Sequence, residues 1–183
     1  TGNGKLIGTA VTCMVVDRNG ELWLGSDQGV SRIISPGNVF TGGNFDAEVV
    51  QVEEGGYLHD LLGTELITAM AINGNNEKWI GTEKAGVFLM SADGGKELMH
   101  FTEANSPLLS NTIQSIRISS NGTIYFGTSQ GIVSYQDYKV EAQQTLDSLF
   151  IYPNPVRPGY QGPIFISNLI TDSNIKITDV SGA

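Results

Sequence analysis

The sequence is poor in cysteine, histidine and charge: one cysteine, two histidines, and charged residues at only 16% of the chain. A lone Cys13 cannot close an internal disulfide. It lies in an alternating apolar run, where it reads as a small buried hydrophobe. The lack of disulfides leaves export open, because a sufficient core needs no staples. His59 and His100 share no metal-ligand spacing with each other or with Cys13, so neither a metal nor another cofactor is expected. Basic residues are scarce as well, with 10 Lys and Arg against 19 Asp and Glu and a net charge of -9. Such a surface repels phosphate backbones, which excludes nucleic acid as a partner. No apolar run approaches the ~20 residues of a membrane helix, so no transmembrane segment is expected. No signal-peptide pattern opens the chain, which reads as a processed product or an excised piece of a longer protein. What is abundant is glycine, 23 of 183 residues, beside 40% hydrophobic residues. That balance suits short strands joined by tight turns.

Internal repeats organise the first three-quarters. Val11-Thr-Cys-Met14-Val-Val16-Asp-Arg-Asn-Gly20-Glu-Leu-Trp23-Leu-Gly25-Ser recurs as Ile67–Thr82 and again as Ile113–Thr128. Trp23 and Trp79 are 56 positions apart, and Trp79 and Tyr125 are 46 apart. Each copy alternates apolar and other residues with period two (Met14 and Val16, Met70 and Ile72, Ile116 and Ile118), the mark of a strand. Asn19-Gly20 and Asn121-Gly122 are hairpin signals, because Asn and Gly tolerate positive φ. The following strand carries an aromatic and then a glycine, a sign of close backbone approach or a bulge. A third strand is expected at Val30–Ile34, Val87–Met90 and Ile132–Tyr135. A fourth is expected at Glu48–Glu53, at Glu97–Thr102 and, shorter, near Tyr138–Glu141. Four antiparallel strands per copy make a propeller blade. Residues 34–47 and 54–66 read as irregular connections, with Tyr57–Leu62 able to form one helical turn.

These copies resemble the two-component-regulator propeller repeat, whose core runs strand, Asp-x-x-Gly, Leu-Trp-Ile-Gly-Thr, then Gly-Leu. Asp17–Ser26 and Lys78–Thr82 carry the resemblance, and Tyr125-Phe126 departs from the usual Trp-Ile. The resemblance implies an extracytoplasmic propeller that senses or binds. Its repeat residues are scaffold, so no ligand-binding residue transfers.

After Lys139 the pattern changes. Glu141–Asp147 is polar and linker-like. Three prolines, Pro153, Pro155 and Pro158, then hold the chain extended and block helix. Strands are expected at Ile164–Ile166 and Ile175–Ile177. Tyr152-Pro-Asn-Pro155, Ile166-Ser-Asn-Leu169 and Ile175–Gly182 resemble the opening of the C-terminal sorting domain of the type IX secretion system, a small Ig-like sandwich. Propeller repeats followed by such a module imply a secreted or surface-attached protein, outside the outer membrane or in the periplasm. That order also implies handling of other secreted or secretion-machinery proteins, or of surface lipopolysaccharide or glycan.

Candidate chemistry is thin. Gly127-Thr-Ser129-Gln-Gly131 matches the nucleophile-elbow string, but that mechanism needs a helix after the turn, and a β-branched strand follows. Gly2-Asn-Gly4-Lys-Leu-Ile-Gly8 approximates a dinucleotide loop with one residue too many and no strand before it. Asp17–Glu21 lacks the alternating oxygen ligands of a calcium loop. Asp46, Glu48, Glu53 and Glu54 read as a solvated acidic edge. Trp23, Trp79 and Tyr125 read as packing between blades rather than sugar platforms. Asn121-Gly-Thr123 is a sequon on a hairpin turn, and Asp147-Ser-Leu149 resembles an O-glycosylation motif.

The expected architecture is all-β: three four-stranded blades over residues 1–140, a linker over 141–148, and the start of an Ig-like sandwich over 149–183. The expected function is binding or assembly at a bacterial surface, without catalysis. The alternatives are a sensor ectodomain of a hybrid two-component system and a polysaccharide-acting propeller enzyme. Three blades and part of a sandwich leave open strand edges, to be covered by self-association or by further parts of a longer protein.

Overall fold

The structure is a computed structural model, and it describes residues 4–136, 150–152, 158–167 and 175. The first copy folds as β1 (Val11–Val16), β2 (Leu22–Ser26) and β3 (Gly29–Ile33). A helical turn, α1 (Asn38–Thr41), follows, and β4 (Glu48–Val49) completes a four-stranded antiparallel sheet. The connection to the second copy holds β5 (Gln51–Glu54) and β6 (Tyr57–Asp60), a two-stranded ribbon. The second copy is the four-stranded sheet of β7 (Ile67–Ile72), β8 (Lys78–Thr82), β9 (Val87–Met90) and β10 (Glu97–Phe101). The third contributes β11 (Ile113–Ile118), β12 (Thr123–Thr128) and β13 (Gly131–Gln136). In the tail, β14 (Phe150–Tyr152) pairs antiparallel with β15 (Phe165–Ser167). The chain is all-β and built as propeller blades.

Repetition reaches individual hydrogen bonds. Each first strand carries an irregularity after its first residue, at Val11, Ile67 and Ile113. Each first turn places one residue at positive φ, Gly20, Asn76 and Gly122. In each second turn a hydroxyl donates to the carbonyl of the closing glycine: Ser26 to Gly29, Thr82 to Gly86 and Thr128 to Gly131, at 2.8–3.1 Å.

Two cores lie between blades. Cross-strand partners share a face, so Met70, Ile80 and Phe88 point one way and Ala71, Trp79 and Leu89 the other. The first set packs with Trp23 and Val30 of blade 1, and the second with Ile113, Ile116, Ile124 and Phe126 of blade 3. Each buried tryptophan contributes roughly 2–3 kcal/mol by removing its ring from water. Gly25 and Gly81 let the blades meet. A Cβ on Gly25 would lie 2.6 Å from Ile67 Cγ2, and one on Gly81 would lie 2.5 Å from Ile113 Cγ2.

Several expectations need correction. Tyr125 occupies the register position of Trp23 and Trp79, opposite Arg117 as they are opposite Val15 and Ala71. Both tryptophans are buried, but Tyr125 is 45% exposed, because its face of blade 3 meets no further blade among the described residues. The stretch expected as one strand at Glu48–Glu53 divides at Val50 between two sheets. Val50 is buried in the blade 1–blade 2 core and donates its N–H to the Val30 carbonyl. Of the stretch Tyr57–Leu62, read as one helical turn, Tyr57–Asp60 forms strand β6, because Gly55 and Gly56 at positive φ reverse the chain, and Leu61 and Leu62 lie in the turn that follows. The expected strands near Tyr138–Glu141 and Ile175–Ile177, the linker at 141–148 and the Asp147–Leu149 motif lie outside the described residues, apart from Ile175 alone.

Candidate functional site

The most elaborate polar constellation sits at the seam of blades 1 and 2. Asp17 follows β1, and its carboxylate organises the first turn. Its Oδ1 accepts from the N–H groups of Asn19 and Glu21 at 2.9 and 3.0 Å. Its Oδ2 accepts from Trp23 Nε1 at 3.1 Å, from Asn76 Nδ2 at 3.3 Å and from Lys78 Nζ at 3.0 Å. Asn76 returns the contact by accepting from the Arg18 N–H at 2.9 Å. Lys78 also donates to the carbonyls of Asn76 and Ala92, and its Nζ lies 4.3 Å from the centroid of the Trp23 ring. Burial pushes the Asp17 carboxyl up, but the Lys78 hydrogen bond, the turn N–H groups and the Lys78 charge outweigh it and hold it below the usual 3.8. Burial likewise pushes the Lys78 ammonium below its usual value, against the pull of Asp17. Five protein donors thus engage the two Asp17 oxygens. The constellation ties blade to blade.

The equivalent position in blade 2 is Asn73, and there the chemistry differs. Asn73 Oδ1 accepts from the N–H groups of Asn75 and Glu77, as Asp17 Oδ1 does. Its Nδ2 is a donor, spent on Glu77 Oε2 at 2.7 Å. Trp79 Nε1 is therefore buried without a partner among the described residues. Its ring is held instead by Phe101, Phe126 and Tyr135, with centroids 5.3–5.8 Å away. Beside this cluster a cleft of about 240 Å³ is lined by Phe101, Pro107, Leu108, Phe126, Val133 and Tyr135.

The residues singled out in the sequence do not converge. Ser129 donates to Ser110 Oγ at 2.9 Å, and its N–H donates to the Thr112 carbonyl, so it is part of the repeat turn. His100 stacks on Phe88 at 3.9 Å, with Nε2 2.7 Å from the Ala85 carbonyl. His59 is exposed on β6. Cys13 packs against the blade 1–blade 2 core, and burial pushes its thiol up, away from nucleophile chemistry. Gly4–Gly8 lies before β1 and outside any strand. Asp46 pairs with Lys5 at 3.2 Å. Glu48 and Glu53 are exposed on β4 and β5. Asn121 accepts from the Thr123 N–H within its turn. The buried Trp23 and Trp79 cannot stack on sugars. Among the described residues no group of three or more His, Cys, Asp and Glu is placed to hold a metal ion, and no helix is long and apolar enough to cross a membrane.

What sequence reasoning missed is the lysine at the seam. The signal was there in part: Lys78 stands where the first copy has Leu22 and the third has Ile124. A cation at a strand position that is apolar in both other repeats needs a buried partner.

Comparison with known proteins agrees with this architecture. The family model of the two component regulator propeller matches residues 5–28. No curated protein matches. Among solved structures the chain is similar to PorZ, an essential bacterial surface component of the type-IX secretion system of Porphyromonas gingivalis. Identity is 34% over 94% of this chain and 24% of that one, with a TM-score of 0.68. It is also similar to the extracellular domain of the putative hybrid two component system BT3049 from B. thetaiotaomicron. There identity is 25% over 71% of this chain and 16% of that one, with a TM-score of 0.53. The chain thus spans about a quarter of the length of PorZ and less of the BT3049 extracellular domain. A putative gluconolactonase matches at 13% identity over 70% of this chain and 39% of that one; its TM-score of 0.47 carries no argument about activity. The fold is that of extracytoplasmic propeller proteins.

Proposed function

We propose that this chain belongs to a PorZ-like protein of the bacterial surface, which works by binding and assembly in type IX secretion rather than by catalysis. The observation that carries the reading is the reach of the similarity: 94% of the chain, blades and tail together, aligns with PorZ at 34% identity. The sensor domain aligns over 71% and less closely. In this reading residues 149–183 begin a sorting-domain sandwich, residues 141–148 are its linker, and partners are other secretion components, secreted proteins or surface glycan.

The test is deletion of the gene in its own host, followed by surface proteolysis and immunoblotting of proteins that carry type IX sorting domains. The expected result is loss of those proteins from the surface, restored by the wild-type gene. Normal surface display, together with lost transcriptional response to a polysaccharide, would favour the sensor reading instead.

A further inference from the structure

The connection between blades 1 and 2 leaves one strand edge open. The β5–β6 ribbon turns through Gly55 and Gly56, with φ of 60° and 81°, a two-residue turn of the I′ kind. Glu54 faces Tyr57 across that turn, and Glu53 faces Leu58 in the next pair. Antiparallel pairs alternate between bonded and non-bonded, so the peptide groups of Glu53 and Leu58 point outward, away from each other. On the Glu53 side the outward N–H donates to the Gly95 carbonyl of blade 2 at 3.5 Å. On the Leu58 side β6 has no neighbouring strand among the described residues.

This edge is held in place. The Leu61 N–H donates to the Val50 carbonyl at 2.8 Å, the Val30 N–H donates to the Leu61 carbonyl at 3.2 Å, and Leu61 is buried in the core between the blades. All four β6 side chains are exposed, with Tyr57 at 73% and Leu58 at 65%. The edge has no lysine, proline or bulge, the devices that usually blunt such strands. Anchored backbone beside exposed aromatic and aliphatic side chains is the equipment of strand addition.

Charge selects the occupant. No lysine or arginine occurs between Arg32 and Lys78, and the ribbon itself carries Glu53, Glu54 and Asp60. A second copy pairing edge to edge would set acid against acid. Nucleic acid and anionic lipid are repelled for the same reason. We propose that β6 is the docking edge for an extended basic segment of a partner protein. That segment adds as a third strand, pairing its backbone with Leu58, its apolar side chains with Tyr57 on one face, and its cations with Glu53 and Asp60, which share the opposite face. The proposal does not depend on the assignment to type IX secretion.

The experiment uses two fluorescent peptides of equal charge, one alternating lysine with valine and one alternating lysine with proline, which cannot pair as a strand. The expected result is binding of the lysine–valine peptide at least about tenfold tighter than the other, with slowed hydrogen exchange at Leu58. Leu58→Pro should remove the preference. If that variant fails to fold, Asp60→Lys gives an independent reading, since it should weaken the lysine–valine peptide and admit a glutamate–valine one. Equal binding of the two peptides would reduce the effect to charge alone and overturn the proposal. So would a Leu58 amide already protected in the free chain, or a dimer that depends on Leu58.

Discussion

Lys78 of the second blade ends 3.0 Å from Asp17 Oδ2 of the first, and neither side chain is exposed to solvent. The pair joins two repeats whose first turns would otherwise be equivalent. A buried pair of this kind adds little over a well-packed apolar pair, yet breaking one half costs far more, because the other charge is stranded. Here stranding is especially unfavourable: Asp17 also accepts from Trp23 and Asn76, so its loss leaves several buried donors unpaired.

Lys78→Met should therefore destabilise by about 3–5 kcal/mol. Asp17→Asn together with Lys78→Met should recover part of that loss. Urea denaturation of the four proteins in the cycle measures the coupling. Additive losses would show the two side chains to be independent.

The same carboxyl sets an acid limit. Its folded pKa lies below the usual 3.8, so as pH falls the unfolded chain takes up the proton first. The stability supplied by ionised Asp17 is complete above the unfolded value and drains away as pH drops through 3.8 toward the folded value. Asp17→Asn should be less stable at neutral pH and show a shallower loss below about pH 4. Thermal melts across that range test the slope, and parallel acid limbs for the two proteins would exclude Asp17 as the source.

Gly25 and Gly81 stand where neighbouring blades touch. Gly81→Ala would drive a methyl onto Ile113 and should cost about 1–3 kcal/mol. Gly37→Ala, where a Cβ meets nothing within 4 Å, should lie within about 0.5 kcal/mol of wild type. Chemical denaturation separates the two, and equal losses would mean that the blades have room to part.

Most of the blade pattern was legible because it is local. Alternation and a glycine two residues after an aromatic are written within each copy, Asn-Gly turns in the first and third, and three copies corroborate one another. The β5–β6 ribbon was missed because Gly55-Gly56 is a turn signal whose flanking residues alternate poorly, and its second strand, Tyr57–Asp60, lacks a buried face to advertise it. Tyr125 was misjudged because repetition predicts the direction of a side chain, while burial depends on what lies opposite. The lysine at the seam was hidden for a related reason, since its partner is 61 residues away in sequence.

Ser129 belongs to the repeat turn, and its hydroxyl is spent on Ser110. Ser129→Ala should leave any esterase or glycosidase rate of the preparation unchanged. An activity abolished by this substitution would return the chain to the enzymes.

The two outer faces make the last prediction. Met14 matches Met70 and Ile116 in register, and those two are buried against the preceding blade, whereas Met14 is 65% exposed. Tyr125 matches the buried tryptophans on the opposite face, so the faces of Met14 and Tyr125 are the two halves of a blade-to-blade contact. In this chain by itself, they should bring copies together head to tail, and light scattering should give a mass above the 19.6 kDa of one chain. One such contact uses both faces, so Met14→Glu and Tyr125→Glu should each dissolve it alone. A two-fold dimer uses the same face twice, and would yield to one substitution and ignore the other. A monomer in which Met14 and Tyr125 are both shielded from solvent would sink the idea, because it would require each face to be covered from within the chain.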